Sequence, residues 1–336
     1  MKEALFYKKL DKGRVQCYLC AYNCKIPESQ RGFCGVRENR GGKLYTLVYD
    51  KVISSSLDPI EKKPLFHFYP GSKSYSIATV GCNFRCRHCQ NADISQMPHN
   101  HNRIIGESLS PEDIVEEAIK YGAKSISYTY TEPTIFYELA YETAKLAHEK
   151  DLKNNFITNG YISKEALKYI SPYLDAANVD LKFFSDDLYM KVCAAHLEPV
   201  LDTIRLMRQL GIWVEVTTLV IPGLNDNEKQ LKDIADFIVS VGKEVPWHIT
   251  AFFPAYKMTD KGPTPVEALH RGREIGLKRG LRYVYCGNVA YDEGENTYCY
   301  NCHKLIIERL GYQIRKYHIE DSRCLYCNAR IDGEGL

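Results

Sequence analysis

Through the middle of the chain, short apolar runs rich in β-branched residues alternate with longer stretches whose apolar residues recur every three to four positions. The first pattern predicts strands and the second helices. From residue 74 the predicted strands are SYSIATV (74–80), KSISYTYTEP (124–133), NNFITNG (154–160), AANVDLKFF (176–184), WVEVTTLVIPG (213–223), WHITAFFP (247–254) and RYVYCGNV (282–289). The predicted helices between them are PEDIVEEAIKYGA (111–123), TIFYELAYETAKLAHEKD (134–151), SKEALKYISPYL (163–174), LEPVLDTIRLMRQLG (197–211), NDNEKQLKDIADFIVSVG (225–242) and PVEALHRGREIGLKRG (265–280). Ser110 and Pro111 supply an N-cap and first turn for the first of these. Repeated βα units imply an α/β fold with a parallel sheet and helical crossovers, either doubly wound or curved into a full or partial barrel. In such barrels the reactive groups gather at the C-terminal ends of the strands.

Composition then narrows the class. The 336 residues are 45% hydrophobic and 26% charged, as in a globular protein, and 44 Lys and Arg nearly balance 42 Asp and Glu. No net field draws the whole molecule to nucleic acid or to an anionic membrane, so neither partner is expected. The N-terminal MKEALFYKKLDKGRVQC lacks an apolar signal core, and no later stretch has the roughly 20 apolar residues of a membrane span. A cytoplasmic protein is therefore expected. In that reducing compartment, its 13 cysteines point to metal binding or catalysis rather than to disulfides.

Eleven of them fall into three groups: Cys17, Cys20, Cys24 and Cys34; Cys82, Cys86 and Cys89; and Cys299, Cys302, Cys324 and Cys327. Four thiolates close a tetrahedral site, whereas three leave a position free. The trio sits in GCNFRCRHCQN (81–91), directly after the first strand of the repeat, with C-x3-C-x2-C spacing. A loop of that length can wrap one face of an iron–sulfur cube and leave the fourth iron open; the alternative is a zinc site completed by His88 or a distant ligand. The C-terminal quartet, two C-x2-C pairs around a hairpin turn at Gly311, has the pattern of a zinc ribbon, with a rubredoxin-like iron site as the alternative. Its charges Arg309, Arg315, Lys316 and Arg323 are expected to form a solvated face. The N-terminal quartet, C-x2-C-x3-C-x9-C, departs from the bacterial ferredoxin spacing, so structural zinc and an auxiliary iron–sulfur cluster both remain open.

GCNFRCRHCQNADIS, YTYTEPT, DLKFFSDDLYMKVC, TTLVIPGLND and RYVYCGNV resemble the radical SAM superfamily, and more narrowly the AmmeMemoRadiSam-system radical SAM enzymes, relatives of pyruvate formate-lyase activating enzymes. DPIEKKPLFHFYPGS (58–72) extends the likeness into the flank. The resemblance implies a partial (βα)6-type barrel over residues 74–290, flanked by a Cys-rich extension at 1–73 and a zinc-ribbon-like module at 291–336. It implies a [4Fe-4S] cluster on Cys82, Cys86 and Cys89 whose open iron chelates S-adenosylmethionine (SAM). It also implies that Glu132 contacts the SAM amino group, and that Thr158, Asn159, Asp180 and Lys182 reach SAM directly or through a cation. Ile157 stands where some relatives carry an acid, which leaves that cation in doubt.

The expected reaction is reductive cleavage of SAM to a 5′-deoxyadenosyl radical that abstracts hydrogen from an unknown substrate, driven by an external one-electron reductant. Memo-like and AMMECR-like proteins are the implied pathway partners. A glycyl-radical enzyme activase is the alternative within the enzymes, and an iron–sulfur or zinc-ribbon binding protein without SAM chemistry is the alternative outside them. Cys286, ending the last strand, is a catalytic candidate; Cys193, Tyr130 and His248 read as core residues.

Overall fold

Each predicted helix has one apolar stripe to bury, and a sheet that carries helices on one face supplies the surface for it. In the computed structural model, which describes residues 1–336, the main sheet is built from β1 (Lys51–Pro59), β2 (Lys73–Thr79), β3 (Ser125–Tyr128), β4 (Lys153–Thr158), β5 (Ala176–Asp180), β6 (Trp213–Val220), β7 (Trp247–Ala251) and β8 (Val284–Gly287). Their order in space follows their order in the chain from β8 to β1, with the short strand Glu107–Ser108 as the far edge. Strands β2 to β8 are parallel, and β1 runs antiparallel to β2. The sheet has two edges, so the barrel is open. β1 lies within the predicted 1–73 extension, so extension and barrel share one sheet.

Six crossover helices complete the repeat: α1 (Pro111–Lys120), α2 (Tyr137–Glu149), α3 (Lys164–Ile170), α4 (Glu198–Gln209), α5 (Glu228–Val241) and α6 (Val266–Arg279). The Ser110–Asp113 capping box sets the start of α1. α2 begins later than its pattern predicts, because Pro133–Phe136 forms a 3-10 turn first, and Pro172 turns the predicted end of α3 into another.

The face of the sheet away from the helices is polar. Ser74 and Ser127 share a hydrogen bond of 2.6 Å, and Ser127 donates to Asn155 Oδ1 at 2.6 Å. The segment 60–72 crosses this concave face. The Phe66 and His67 amides donate to the buried Glu215 carboxylate at 3.0 and 2.7 Å, and Asn178 Nδ2 donates to the Pro64 carbonyl at 2.7 Å. His248 is a core residue as expected, 2.6 Å from Glu215.

Two small three-stranded sheets form the N-terminal part, and a buried Arg37–Glu138 ion pair fastens it to α2. The C-terminal module is a three-stranded antiparallel sheet with its turn at Gly311. Arg315, Lys316 and Arg323 are solvated there. Arg309 is not: it is buried, donating to the Phe66 carbonyl at 3.0 Å and Thr297 Oγ1 at 2.7 Å, which corrects the expected solvated face at that position. No helix is long and apolar enough to cross a membrane.

Candidate functional site

The central cysteine loop begins where β2 ends. Gly81 has φ +104°, and a Cβ there would come within 2.7 Å of Val36, so only glycine allows the N-terminal part to press against the loop. The loop is tied to the π-helical segment Tyr189–Cys193 by Arg85 N–H to the Cys193 carbonyl and Arg87 N–H to the Val192 carbonyl, both 2.9 Å. The Cys82 sulfur accepts the Phe84 amide at 3.3 Å, and the Cys89 sulfur is hydrogen-bonded to Ser95 Oγ at 3.2 Å. Burial pushes the Cys82 thiol well above its ordinary pKa. Cys86 is lowered instead, first by the neighbouring Cys193 thiol, with the Lys182 ammonium adding to it. Cys193, expected to be a bland core residue, therefore belongs to the wall of this site.

The other predicted site residues converge on the same end of the sheet. Glu132, at the end of the turn after β3, is 1% exposed. Its Oε1 accepts the Thr134 amide at 3.0 Å, the Thr134 hydroxyl at 2.6 Å and the Thr158 hydroxyl at 2.8 Å, and its Oε2 accepts the Asn159 amide at 2.8 Å. Burial raises its pKa against these donors. Glu132 thus braces the ends of β3 and β4 and keeps room on Oε2 for one further donor. Asn159 reaches Asn83 Oδ1 at 2.8 Å and lies 3.9 Å from the Cys82 sulfur. Lys182, following β5, pairs with Asp180 at 2.7 Å. Although burial works against its charge, Asp180 and then the Cys86 thiolate raise its pKa well above the usual lysine value.

Sulfur spacing separates the three cysteine groups. In the C-terminal quartet all four sulfurs lie within 4.8 Å of one another, with Cys299–Cys327 at 3.6 Å and Cys302–Cys324 at 3.8 Å. Tetrahedral zinc at a Zn–S distance of ≈ 2.3 Å requires sulfurs about 3.8 Å apart, so this quartet fits a single ion. Neither the central trio nor the N-terminal quartet gathers three sulfurs within 4.8 Å. His88 does not join the trio in such a group; it is buried with its Nδ1 unpartnered, its pKa pushed down to about 3 by burial. The trio therefore fits a group wider than one ion, as a cluster with a thiolate on each of three irons is. Buried polar atoms without partners (Asn83 Nδ2, Ser76 Oγ, Asn178 Oδ1 and Thr217 Oγ1) lie in the loop and along the concave face, where a bound ligand would satisfy them.

Two predicted residues behave differently. Cys286 is fully buried, and its register partner is Ile249, which packs on Gly272 of α6. Partners in a parallel pair point to the same side, so Cys286 faces the helix and not the concave face. Its sulfur groups with His270 and Asp292, and burial pushes its pKa up to about 12. Tyr130 carries more than core packing. It donates to Asp58, which also accepts Lys63 Nζ at 2.7 Å, and the Lys63 ammonium lies 4.4 Å from the Tyr130 ring centre. Lys63 is 2% exposed and burial lowers its pKa to about 8. Asn91, two residues past Cys89, donates to the Tyr130 carbonyl at 2.8 Å, placing Asp58, Lys63 and Tyr130 beside the central cysteine loop. The two lysines of DPIEKKPLF were the available sequence signal, since a lysine beside an apolar run and an acid suggests a buried pair.

Comparison with known proteins gives a consistent result. The family profile of the Radical SAM superfamily matches residues 76–238. An uncharacterized protein of Methanocaldococcus jannaschii is 51% identical over 335 residues, 99% of each chain. A putative glycyl-radical enzyme activating enzyme of the same organism is 24% identical, over 65% of this chain and 80% of the relative. Among solved structures, a radical SAM methyltransferase from Sphaerobacter thermophilus superposes with a TM-score of 0.51 at 17% identity, covering 71% of each chain, a likeness of fold.

Proposed function

The chain belongs to the radical SAM superfamily and is an enzyme of that class, and on that premise we propose that Cys82, Cys86 and Cys89 hold a [4Fe-4S] cluster beside a SAM pocket formed by Glu132, Thr158, Asn159, Asp180 and Lys182. The carrying observation is the meeting of these residues at the C-terminal ends of β2 to β5, with the three sulfurs too far apart for one ion. When bound, the cluster and SAM supply one-electron cleavage of the sulfonium to methionine and a 5′-deoxyadenosyl radical, which abstracts hydrogen from the substrate.

The protein's own contribution is orientation and exclusion of water. Oε2 of Glu132 accepts the SAM ammonium while its other bonds keep the carboxylate from turning. Lys182, held by Asp180, is the cation on the opposite side, available to the SAM carboxylate. Segment 60–72 shields the concave face from below. Asp58, Lys63 and Tyr130 line the substrate side, where a buried lysine of lowered pKa can bind an anionic group or move a proton at Nζ. The C-terminal quartet holds a structural zinc. Electrons come from an external one-electron reductant, and Memo-like and AMMECR-like proteins are the proposed pathway partners, supported by the motif resemblance.

Anaerobically reconstituted protein with dithionite and SAM should release 5′-deoxyadenosine. The reading fails if SAM neither binds nor is cleaved by protein carrying its full iron. A glycyl-radical activase is the second reading, favoured by the 24% identity to a putative activating enzyme. It requires a protein substrate that acquires a radical in a glycyl loop, which electron paramagnetic resonance would detect.

A further inference from the structure

The N-terminal quartet differs from the zinc-type quartet at the other end of the chain in a way that bears on its metal. Cys17, Cys20, Cys24 and Cys34 line one enclosed cavity, walled otherwise by Leu19, Ile26, Ile135 and the stem of Arg37. Four thiols around a common space are a metal-site donor set, yet no three of these sulfurs approach within 4.8 Å. A single tetrahedral ion would need them about 3.8 Å apart. A [4Fe-4S] cube with each thiolate on a different iron needs roughly 6 Å between sulfurs.

The wall supplies what a cluster's sulfurs require. Arg37 is 1% exposed and its Nη1 lies 3.3 Å from the Cys17 sulfur. Burial raises the Cys20, Cys24 and Cys34 thiols, and the Tyr22, Phe33 and Val36 amides work against it. The Cys17 sulfur thus has a charged N–H donor, and apart from Thr134 the remaining lining is apolar, conditions that favour holding and shielding an anionic cluster.

The cavity also abuts the central site. Thr134 lines it and donates its hydroxyl to Glu132, and a Cβ at Gly81, next to Cys82, would lie 3.4 Å from the Cys34 carbonyl. The Arg85 guanidinium sits 4.2 Å from the Phe33 ring centre and feels both the Cys82 and the Cys34 thiolates.

We propose that Cys17, Cys20, Cys24 and Cys34 bind a second iron–sulfur cluster, a [4Fe-4S] cube with a protein thiolate on every iron, sharing a wall with the central site. With four protein ligands it has no iron free for SAM or substrate, unlike the central trio. The proposal builds on the central-cluster reading but is tested independently of it, through metal counts.

The experiment is anaerobic reconstitution of the full chain with iron and sulfide, followed by iron, sulfide and zinc analysis. The expected result is about eight irons and one zinc per chain. The variant C82A/C86A/C89A should keep about four irons and the visible absorption of a cluster, with zinc unchanged, and it does not depend on how well N-terminal variants fold. C20A/C24A should fall to about four irons while still binding SAM. About four irons and two zincs in the wild type, or a colourless C82A/C86A/C89A variant, overturns the proposal. Absence of SAM cleavage in protein with eight irons would overturn the central reading and leave this one standing.

Discussion

The barrel and the C-terminal module each gather cysteines, and in the proposed reading a metal stands in a different relation to the fold in each. The barrel's cysteine loop rests on a core of 68 buried residues. The module's core has nine, of which Phe66, Tyr283 and Tyr285 come from elsewhere in the chain and Cys299 and Cys324 belong to the cysteine quartet itself. A core of 68 side chains sustains a fold whether or not a cluster is loaded, so the site can carry an open, reactive group. A module with so few apolar side chains has little stability of its own, and binding a structural zinc is worth roughly 10–16 kcal/mol in small zinc domains. In the proposed reading, metal in the first is chemistry and in the second replaces a core.

The largest expected effect that would break this contrast comes from C82A/C86A/C89A. It should abolish 5′-deoxyadenosine release entirely while the thermal midpoint, followed by circular dichroism, moves by only a few degrees. A collapse of the midpoint would show that the barrel also depends on its metal. Next in size, Cys302→Ser should lose about one zinc per chain and speed amide hydrogen exchange across residues 295–336, with the iron–sulfur absorption and exchange in β2 to β6 unchanged. Uniform loosening of the whole chain would mean that module and barrel fold as one unit.

Smaller effects sharpen the comparison within the barrel. Losing a hydrogen bond to a charged group costs about 1.5–3 kcal/mol, or roughly ten- to a hundredfold. Glu132→Ala and Lys182→Ala should each weaken SAM binding by about that factor at normal iron content. Unchanged affinity in both variants would remove these residues from the pocket. The smallest effect lies in the module's seam. Burial pushes the Glu295 carboxyl up from 4.5 to about 7, so the folded state holds its proton where the unfolded chain has released it. Glu295 therefore makes the module most stable at low pH and costs it stability as pH rises from about 4.5 to about 7. Glu295→Gln should flatten that part of the pH–stability curve, measured by exchange in residues 295–336; an unaltered slope would show that another group titrates there.

Much of this organisation was legible beforehand. The alternation of runs is a local property, so seven parallel strands, six helices and the placement of Cys82, Cys86 and Cys89 after β2 all followed from it. The convergence of Glu132, Thr158, Asn159, Asp180 and Lys182 was legible because each lies at or just past the C-terminal end of a strand, and those ends meet in an open barrel. Cys286 was misjudged for a definite reason. A strand in a parallel sheet can be apolar on both faces, so RYVYCGNV does not say which side Cys286 takes; its pairing with Ile249 against α6 decides it.

What the sequence determined by itself is the set of elements, their order and the identity of the candidate ligands, because propensity, periodicity and spacing act over a few residues. Only the tertiary structure decided distances between groups far apart in the chain. It put Cys193 beside Cys86, buried Arg309 under Phe66, joined Asp58, Lys63 and Tyr130 beside the central cysteine loop, and brought one cysteine quartet within 4.8 Å but not the other. Those outcomes depend on how whole elements pack, and a set of four cysteines is compatible with either a single ion or a cluster until packing sets the gaps between sulfurs.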